Sequence, residues 1–157
     1  MKQLLLHNIL SYYGQAEVTG PLSNPVLLTL IRKHAHQATD DSAVAWCGIF
    51  MGEMFDQIGA GKYKPEKYLS AKQWATIGKE IPIGEAKTGR AIVIFHRGNP
   101  IDWQGHVGLY VAHNAQNCFV ASGNQNNSVN ISPYSLNRLF KVVDISAILD
   151  EVERAGK

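Results

Sequence analysis

The sequence predicts an α+β domain in which helices come first and an antiparallel sheet follows. Apolar side chains recur at helical spacing in the first part of the chain. After Gly89 the pattern changes to short alternating segments that are separated by turns containing Gly, Asn and Pro. Helices followed by a run of strands are typical of α+β folds. The 157 residues have the length of one domain, which we place at 1–157.

Three helices are predicted before the sheet. The first ends at Gly14, because glycine adopts a left-handed conformation at little cost. The second begins with Asn24 as N-cap and Pro25 at the first helical position, a combination typical of helix starts. The third ends at residues 59–61 and buries a face made of Trp46, Ile49, Phe50, Met54 and Phe55.

The remaining elements are shorter. A short helix is predicted over 70–79, and a final helix over 146–154. Strands are predicted over 91–95, 105–112, 118–122, 128–131 and 139–143. Since consecutive strands are joined by short turns, we expect them to pair in antiparallel fashion.

Composition excludes several classes of protein. A net charge of +2, from 15 basic and 13 acidic residues, gives no electrostatic reason to expect nucleic-acid binding. No stretch approaches the roughly 20 apolar residues of a membrane span. The apolar N-terminal segment is interrupted by His7 and Asn8, so we expect no signal peptide and synthesis in the cytoplasm. Cys47 and Cys118 lack the spacing of a disulfide framework or zinc site, and we predict no metal and no cofactor.

Cys47 is the candidate nucleophile. It follows capping-type residues at 40–42 and lies near the start of the third helix. Free N–H groups and the positive dipole end of a helix favour a thiolate, which is the reactive form of cysteine. The alternative for any free cysteine is simple burial in the core, and we assign that role to Cys118 because it lies in the middle of an apolar strand.

His106 is the candidate base, because it lies near the start of the strand over 105–112. A base on a strand that faces a cysteine on a helix is the arrangement found in papain-type enzymes. Asn124, which follows the strand over 118–122, is predicted to orient the imidazole. The backbone N–H of Cys47 is predicted to stabilise the oxyanion. Four further residues are predicted to contact substrate, namely Asp41, Trp46, Trp103 and Gln125.

These segments also resemble a known group of enzymes. The motifs that carry the resemblance are residues 14–25, Trp46-Cys47, Gly105-His106-Val107-Gly108, Gly123-Asn124-Gln125 and Ile131-Ser132-Pro133-Tyr134. In this order they are similar to the CHAP and NlpC-like cell-wall cysteine hydrolases, and more narrowly to small single-domain proteins of the phage-lysin type. The sequence departs from the family at Gly89-Arg90, where the family usually has Gly-Asp.

The resemblance implies a papain-like fold, with N-terminal helices packed on an antiparallel sheet or half-barrel of about five to six strands. It implies peptidoglycan as the substrate and Cys47, His106 and Asn124 as the catalytic set. The reaction would be that of an N-acetylmuramoyl-L-alanine amidase or of a peptide endopeptidase. We expect a monomer that acts on the cell wall after delivery by a holin or a secretion apparatus.

Three alternatives stay open at the level of sequence. In the first, the domain keeps the fold but is a non-catalytic wall-binding or phage structural module. In the second, it is an antibacterial amidase effector that is injected into other cells. In the third, it is an acyltransferase or deamidase that uses the same residues on proteins.

Overall fold

The computed structural model describes residues 3–18, 24–35, 46–101 and 104–156. Its helices are α1 (Leu4–Leu10), α2 (Pro25–His34), α3 (Cys47–Gln57) and α4 (Ser146–Ala155). Its strands are β1 (Lys79–Glu80), β2 (Ala91–His96), β3 (Gly105–His113), β4 (Asn117–Gln125), β5 (Ser128–Ser135) and β6 (Leu139–Asp144). The α+β class is confirmed.

The strands form one sheet in the order β1-β6-β2-β3-β4-β5, and every pair is antiparallel. All five predicted strands are present. The helix predicted over 70–79 is wrong in its second half, since a 3₁₀ helix covers Ala71–Thr76 and β1 follows it. Gly78 explains the difference, because a Cβ at this position would lie 2.4 Å from the backbone oxygen of Asp144. Only glycine lets the chain approach β6 this closely.

The start of α2 follows the sequence prediction. Asn24 Oδ1 accepts hydrogen bonds from the backbone N–H groups of Val26 at 3.0 Å and Leu27 at 3.4 Å. Pro25 occupies the first helical position, where its missing N–H costs nothing. None of the described helices has the length and apolar character needed to cross a bilayer.

The core lies between the helices and one face of the sheet. Helix α3 is its centre, because every residue from Cys47 to Phe55 is buried and the helix contacts α1, α2, β3 and β4. Sheet residues that face the helices include Ile92, Ile94, Val107, Leu109 and Ala121. A second apolar cluster contains Val93, Phe95, Tyr110, Cys118 and Val120. Cys118 is thus a buried core residue.

Arg90 stands where the similar enzymes usually have an acidic residue, and the fold gives it a structural role. Its side chain is buried at the start of β2 and donates hydrogen bonds to the backbone oxygen of Ser146 at 3.0 Å and to its Oγ at 3.2 Å. It also forms an ion pair with Asp150. Arg90 therefore ties α4 to the sheet.

Gly48 lies at the start of α3, where the helix comes very close to the backbone of Tyr68 and Leu69. A Cβ at this position would lie 2.6 Å from the backbone oxygen of Tyr68 and 2.9 Å from that of Leu69. Helix propensity alone favours Gly48→Ala by about 1 kcal/mol. We expect the opposite sign, a loss of about 1–3 kcal/mol in the free energy of unfolding, because the clash is with backbone atoms.

Urea denaturation checks this prediction, and Gly84→Ala is the matched control because its Cβ would meet open space. The control should change stability by less than about 0.5 kcal/mol. An unchanged or raised stability for Gly48→Ala would contradict the close approach of α3 to Tyr68 and Leu69.

Candidate active site

Cys47 is the first residue of α3, and Trp46 is its N-cap residue. The prediction that the thiol lies in the first turn of a helix is confirmed, while the capping-type residues 40–42 lie outside the described residues. The side chain is almost covered, with 4% of the residue exposed. The backbone N–H groups of Val107 and Gly48 act on its sulfur, which therefore lies close to Val107 of β3, the residue after His106.

Burial has the largest effect on the pKa of Cys47. Burial raises the pKa of the Cys47 thiol above its ordinary value. The N–H of Val107 and the charge of Arg97 lower this pKa, but burial outweighs them. The helix start offers N–H groups that favour a thiolate, but its burial excludes the water that would solvate the charge. Of the two protonation states left open by the sequence, burial favours the neutral thiol.

His106 lies where β3 and β4 separate. The ladder between these strands begins at Leu109 and Ala121, so the first residues of β3 have no ladder partner on β4. Ser122 Oγ bridges part of this opening by donating to the backbone oxygen of Val107 at 2.7 Å. The ring of His106, with 1% of the residue exposed, lies within hydrogen-bond distance of Gln125 of β4. Helix α3 packs on β3 and β4, so Cys47 and His106 lie on neighbouring elements.

Gln125 holds the ring of His106. Its Oε1 lies 3.0 Å from His106 Nε2. Its Nε2 donates to the backbone oxygens of Val120 at 3.1 Å and Asn130 at 2.9 Å, which fixes the orientation of the amide. Because an amide oxygen only accepts hydrogen bonds, His106 carries its proton on Nε2. Its Nδ1 is then a free lone pair, and among the described residues this buried atom has no hydrogen-bond partner.

Asn124, the predicted partner of the imidazole, makes no hydrogen bond to either ring nitrogen of His106. Between Ser122 and Gln125, β4 has one residue more than β5, which is a β-bulge. Asn124 lies within the bulge with φ of 58°. Side chains of a strand alternate between the two faces of the sheet, and the extra residue shifts this alternation by one position. Gln125 therefore lies on the side of His106, where simple alternation would place Asn124. The prediction for Asn124 is therefore wrong, and Gln125 holds the base instead of contacting substrate.

Comparisons with known proteins agree with this architecture. No family model and no curated protein sequence matches the chain. Among solved structures, RipB from Mycobacterium tuberculosis, a peptidoglycan hydrolase, is similar with a TM-score of 0.54 and 17% identity. The match covers 91% of this chain and 63% of RipB. RipD from the same organism, a non-catalytic NlpC/p60 domain protein adapted to peptidoglycan binding, matches with a TM-score of 0.50 and 17% identity, covering 92% of this chain and 98% of RipD.

The chain has the NlpC/p60 fold. One of these neighbours is a hydrolase and the other is non-catalytic. The fold alone therefore does not determine whether the protein is an enzyme, and this question depends on the residues of the site.

Within this NlpC/p60 fold, Tyr134 of β5 is a site residue to which the sequence reading gave no role of its own. Its ring stacks on the imidazole of His106 with centroids 4.8 Å apart and planes 10° apart. Phe95 of β2 stacks on Tyr134 in turn, at 4.9 Å and 26°. Burial raises the pKa of Tyr134 to about 12, so the phenol stays neutral. The stack fixes the plane of the imidazole, while Gln125 fixes its rotation within that plane.

The predicted role of Trp46 is also wrong. Its indole is fully buried instead of lining a groove. The indole N–H donates to Glu17 Oε1 at 2.6 Å, and its ring meets Phe50 edge to face. Asp41 and Trp103, also predicted to contact substrate, lie outside the described residues.

His34 belongs to a separate cluster at the junction of α2 and α3. His34 Nε2 lies 2.7 Å from Glu53 Oε2, and Lys33 Nζ lies 2.8 Å from Glu53 Oε1. Asp56 is close to this group, and Lys64 Nζ lies 2.8 Å from its Oδ1. Both carboxylates are therefore already compensated by lysines. The cluster acts as an ion-pair network that joins the helices.

His106 has the largest expected effect on the pH dependence of stability. Burial lowers its pKa to about 3 from the ordinary 6.5, although the hydrogen bond to Gln125 raises it. Between these two pH values the unfolded chain binds a proton that the native state excludes. Above pH 6.5 the imidazole is neutral in both states, and the free energy of unfolding does not depend on its titration. As the pH falls from 6.5 toward 3, the free energy of unfolding decreases by about 1.4 kcal/mol per pH unit.

Comparing wild type with His106→Gln isolates this contribution, because all other groups titrate in both proteins. The difference between their free energies of unfolding should change by about 2.5 kcal/mol from pH 7 to pH 4.5, with the wild type losing more. Chemical denaturation at a series of pH values measures it. Parallel pH profiles for the two proteins would contradict a buried neutral His106.

Proposed function

We propose that the protein is a cysteine hydrolase that cleaves an amide bond in or next to the stem peptide of peptidoglycan. The observation that carries the proposal is the hydrogen bond between His106 Nε2 and Gln125 Oε1. It leaves the buried Nδ1 unprotonated and, within the part of the chain that the structure describes, without a hydrogen-bond partner. This atom belongs to the residue that precedes Val107, whose N–H acts on the sulfur of Cys47. An unpaired buried acceptor costs stability, and such groups call for an explanation such as catalysis.

The substrate class is supported by the two structural neighbours. RipB is a peptidoglycan hydrolase, and RipD is adapted to peptidoglycan binding. Both activities require a surface that accepts the same polymer. We extend this substrate to the present chain, whose place of action would then be the cell wall.

The first half of the reaction starts from neutral partners. Since burial raises the pKa of Cys47 and lowers that of His106, the resting pair is thiol and imidazole. As the sulfur attacks the amide carbonyl, its proton moves to His106 Nδ1. The N–H groups of Val107, Gly48 and Cys47 favour negative charge at the sulfur during this step. Gln125 Oε1 accepts from Nε2–H throughout, so the ring does not rotate.

The second half returns the enzyme to its starting state. The protonated Nδ1 gives its proton to the leaving amine, and the carbon–nitrogen bond breaks to give a thioester on Cys47. Water then attacks this thioester while His106 Nδ1 takes one of its protons. The carbon–sulfur bond breaks, the product carboxyl leaves, and the thiol of Cys47 regains its proton.

A non-catalytic wall-binding protein is the competing function, and the likeness to RipD favours it specifically. Digestion of purified sacculi separates the two functions. Wild-type protein should release fragments whose new amine and carboxyl termini identify the cleaved amide by mass spectrometry, whereas Cys47→Ala protein should release none. Binding of sacculi by the wild type without new termini would favour the competitor.

A further inference from the structure

Two arginines lie at the end of the sheet that carries His106. Arg97 directly follows β2, and its backbone N–H donates to the backbone oxygen of Gln104 at 3.4 Å. This bond continues the ladder in which Phe95 is opposite His106. Arg138 lies in the 3₁₀ turn before β6, and its Nε donates to the backbone oxygen of His96 at 3.2 Å. The two arginines therefore lie at the same end of the sheet, one after β2 and the other before β6.

This positive charge is not neutralised within residues 3–18, 24–35, 46–101 and 104–156. In those ranges neither guanidinium forms an ion pair with a carboxylate. Arg97 is half-buried and Arg138 is exposed. Arg97 lies two residues after Phe95, which is opposite His106 in the ladder and whose ring stacks on Tyr134. The charge of Arg97 lowers the pKa of Cys47, His106 and Tyr134.

We propose that Arg97, assisted by Arg138, binds a carboxylate of the substrate next to the amide that is cleaved. The guanidinium group has the planar fork that pairs with both oxygens of a carboxylate. This inference rests on the proposed function for its substrate, and it adds that the substrate must be anionic beside the scissile bond.

The same contact explains why a cation lies beside the base. A positive charge near His106 opposes formation of the imidazolium that the reaction requires. A bound carboxylate removes this repulsion, so His106 becomes a stronger base only when the anionic substrate is in place. Substrates that lack the carboxylate should therefore be both bound and cleaved less well.

Two soluble stem peptides test the proposal, one with free carboxylates and one in which these groups are converted to carboxamides. Calorimetry with Cys47→Ala protein measures binding without turnover. We expect the carboxylate peptide to bind about 10- to 100-fold more tightly, as for a hydrogen-bonded charged pair. Adding Arg97→Gln should remove most of this preference. Arg154→Gln, which removes the same charge from the exposed C-terminal end of α4, should keep it.

Equal binding of the two peptides, binding of neither, or a preference that survives Arg97→Gln would overturn the carboxylate site. Cleavage by wild-type protein is scored separately on the same peptides. If the wild type cleaves neither peptide while Cys47→Ala still selects the carboxylate form through Arg97, the carboxylate site stands and the hydrolase function falls. If cleavage occurs at equal rates on both peptides, the hydrolase function stands and the carboxylate site falls.

Discussion

Cys47→Ala is expected to lower kcat/KM for cleavage of stem peptides by at least about 10,000-fold, the loss that follows removal of a nucleophile from a catalytic unit. The reason is that no thioester forms without the sulfur, and the other groups only position substrate. The thermal midpoint should fall only slightly, because the substitution removes a single buried atom at the start of α3. Rates of release of new amines, together with thermal melts, measure both quantities.

Cys118→Ala is the matched control for this experiment. Cys118 is fully buried in β4, and burial raises its pKa to about 12, so its thiol has no nucleophilic role. Its replacement should leave cleavage within a few-fold of the wild type while costing some stability through the small cavity. A folded Cys47→Ala protein that still cleaves would exclude the covalent mechanism.

Most of the fold could be predicted because its signals are local. The Asn24-Pro25 helix start needs only adjacent residues, and each of the five long strands is bounded by turn residues in the sequence. The placement of Cys47 at a helix start and of His106 near a strand start also followed from local patterns. Strand β1 was missed because it has two residues and depends on Gly78 approaching a distant segment, β6.

The features of the site that were missed depend on tertiary context. The pKa of Cys47 is governed by burial, which a sequence does not display, whereas the helix start that argues for a thiolate is visible. Trp46 adjoins the nucleophile in sequence, yet its ring turns into the core toward Glu17. Arg90 departs from the resemblance. Its structural role is visible only in the folded protein, where α4 lies against it.

The exchange of Asn124 for Gln125 has the same origin, but here the sequence carries a signal. Gln125 and Ser128 pair across a two-residue turn in which Asn126 and Asn127 both have positive φ, at 48° and 58°. That conformation is typical of a type I′ hairpin, and Asn is one of the few residues that accept it. If this turn is assigned first, Gln125 is the last residue of β4. The bulge must then lie among the residues that precede Gln125.

Gln125→Leu is expected to lower kcat/KM for cleavage by about 100- to 10,000-fold, approaching the loss seen when a catalytic histidine adopts the wrong tautomer. Without Oε1 to accept from Nε2–H, the ring of His106 is free to place its proton on Nδ1, which then no longer accepts the proton of the thiol. The stack with Tyr134 holds the plane of the ring but does not select the tautomer. Single-turnover rates on the carboxylate stem peptide measure the loss.

Asn124→Gly is the matched comparison, because glycine adopts the positive φ of this position without strain. It should leave the rate within a few-fold of the wild type, since the side chain of Asn124 makes no hydrogen bond to the ring. Nitrogen-15 NMR of the imidazole distinguishes the tautomers directly, with the proton on Nε2 in the wild type and in Asn124→Gly. A larger loss of rate in Asn124→Gly than in Gln125→Leu would return the positioning role to Asn124, and it would make the β4 bulge irrelevant to catalysis.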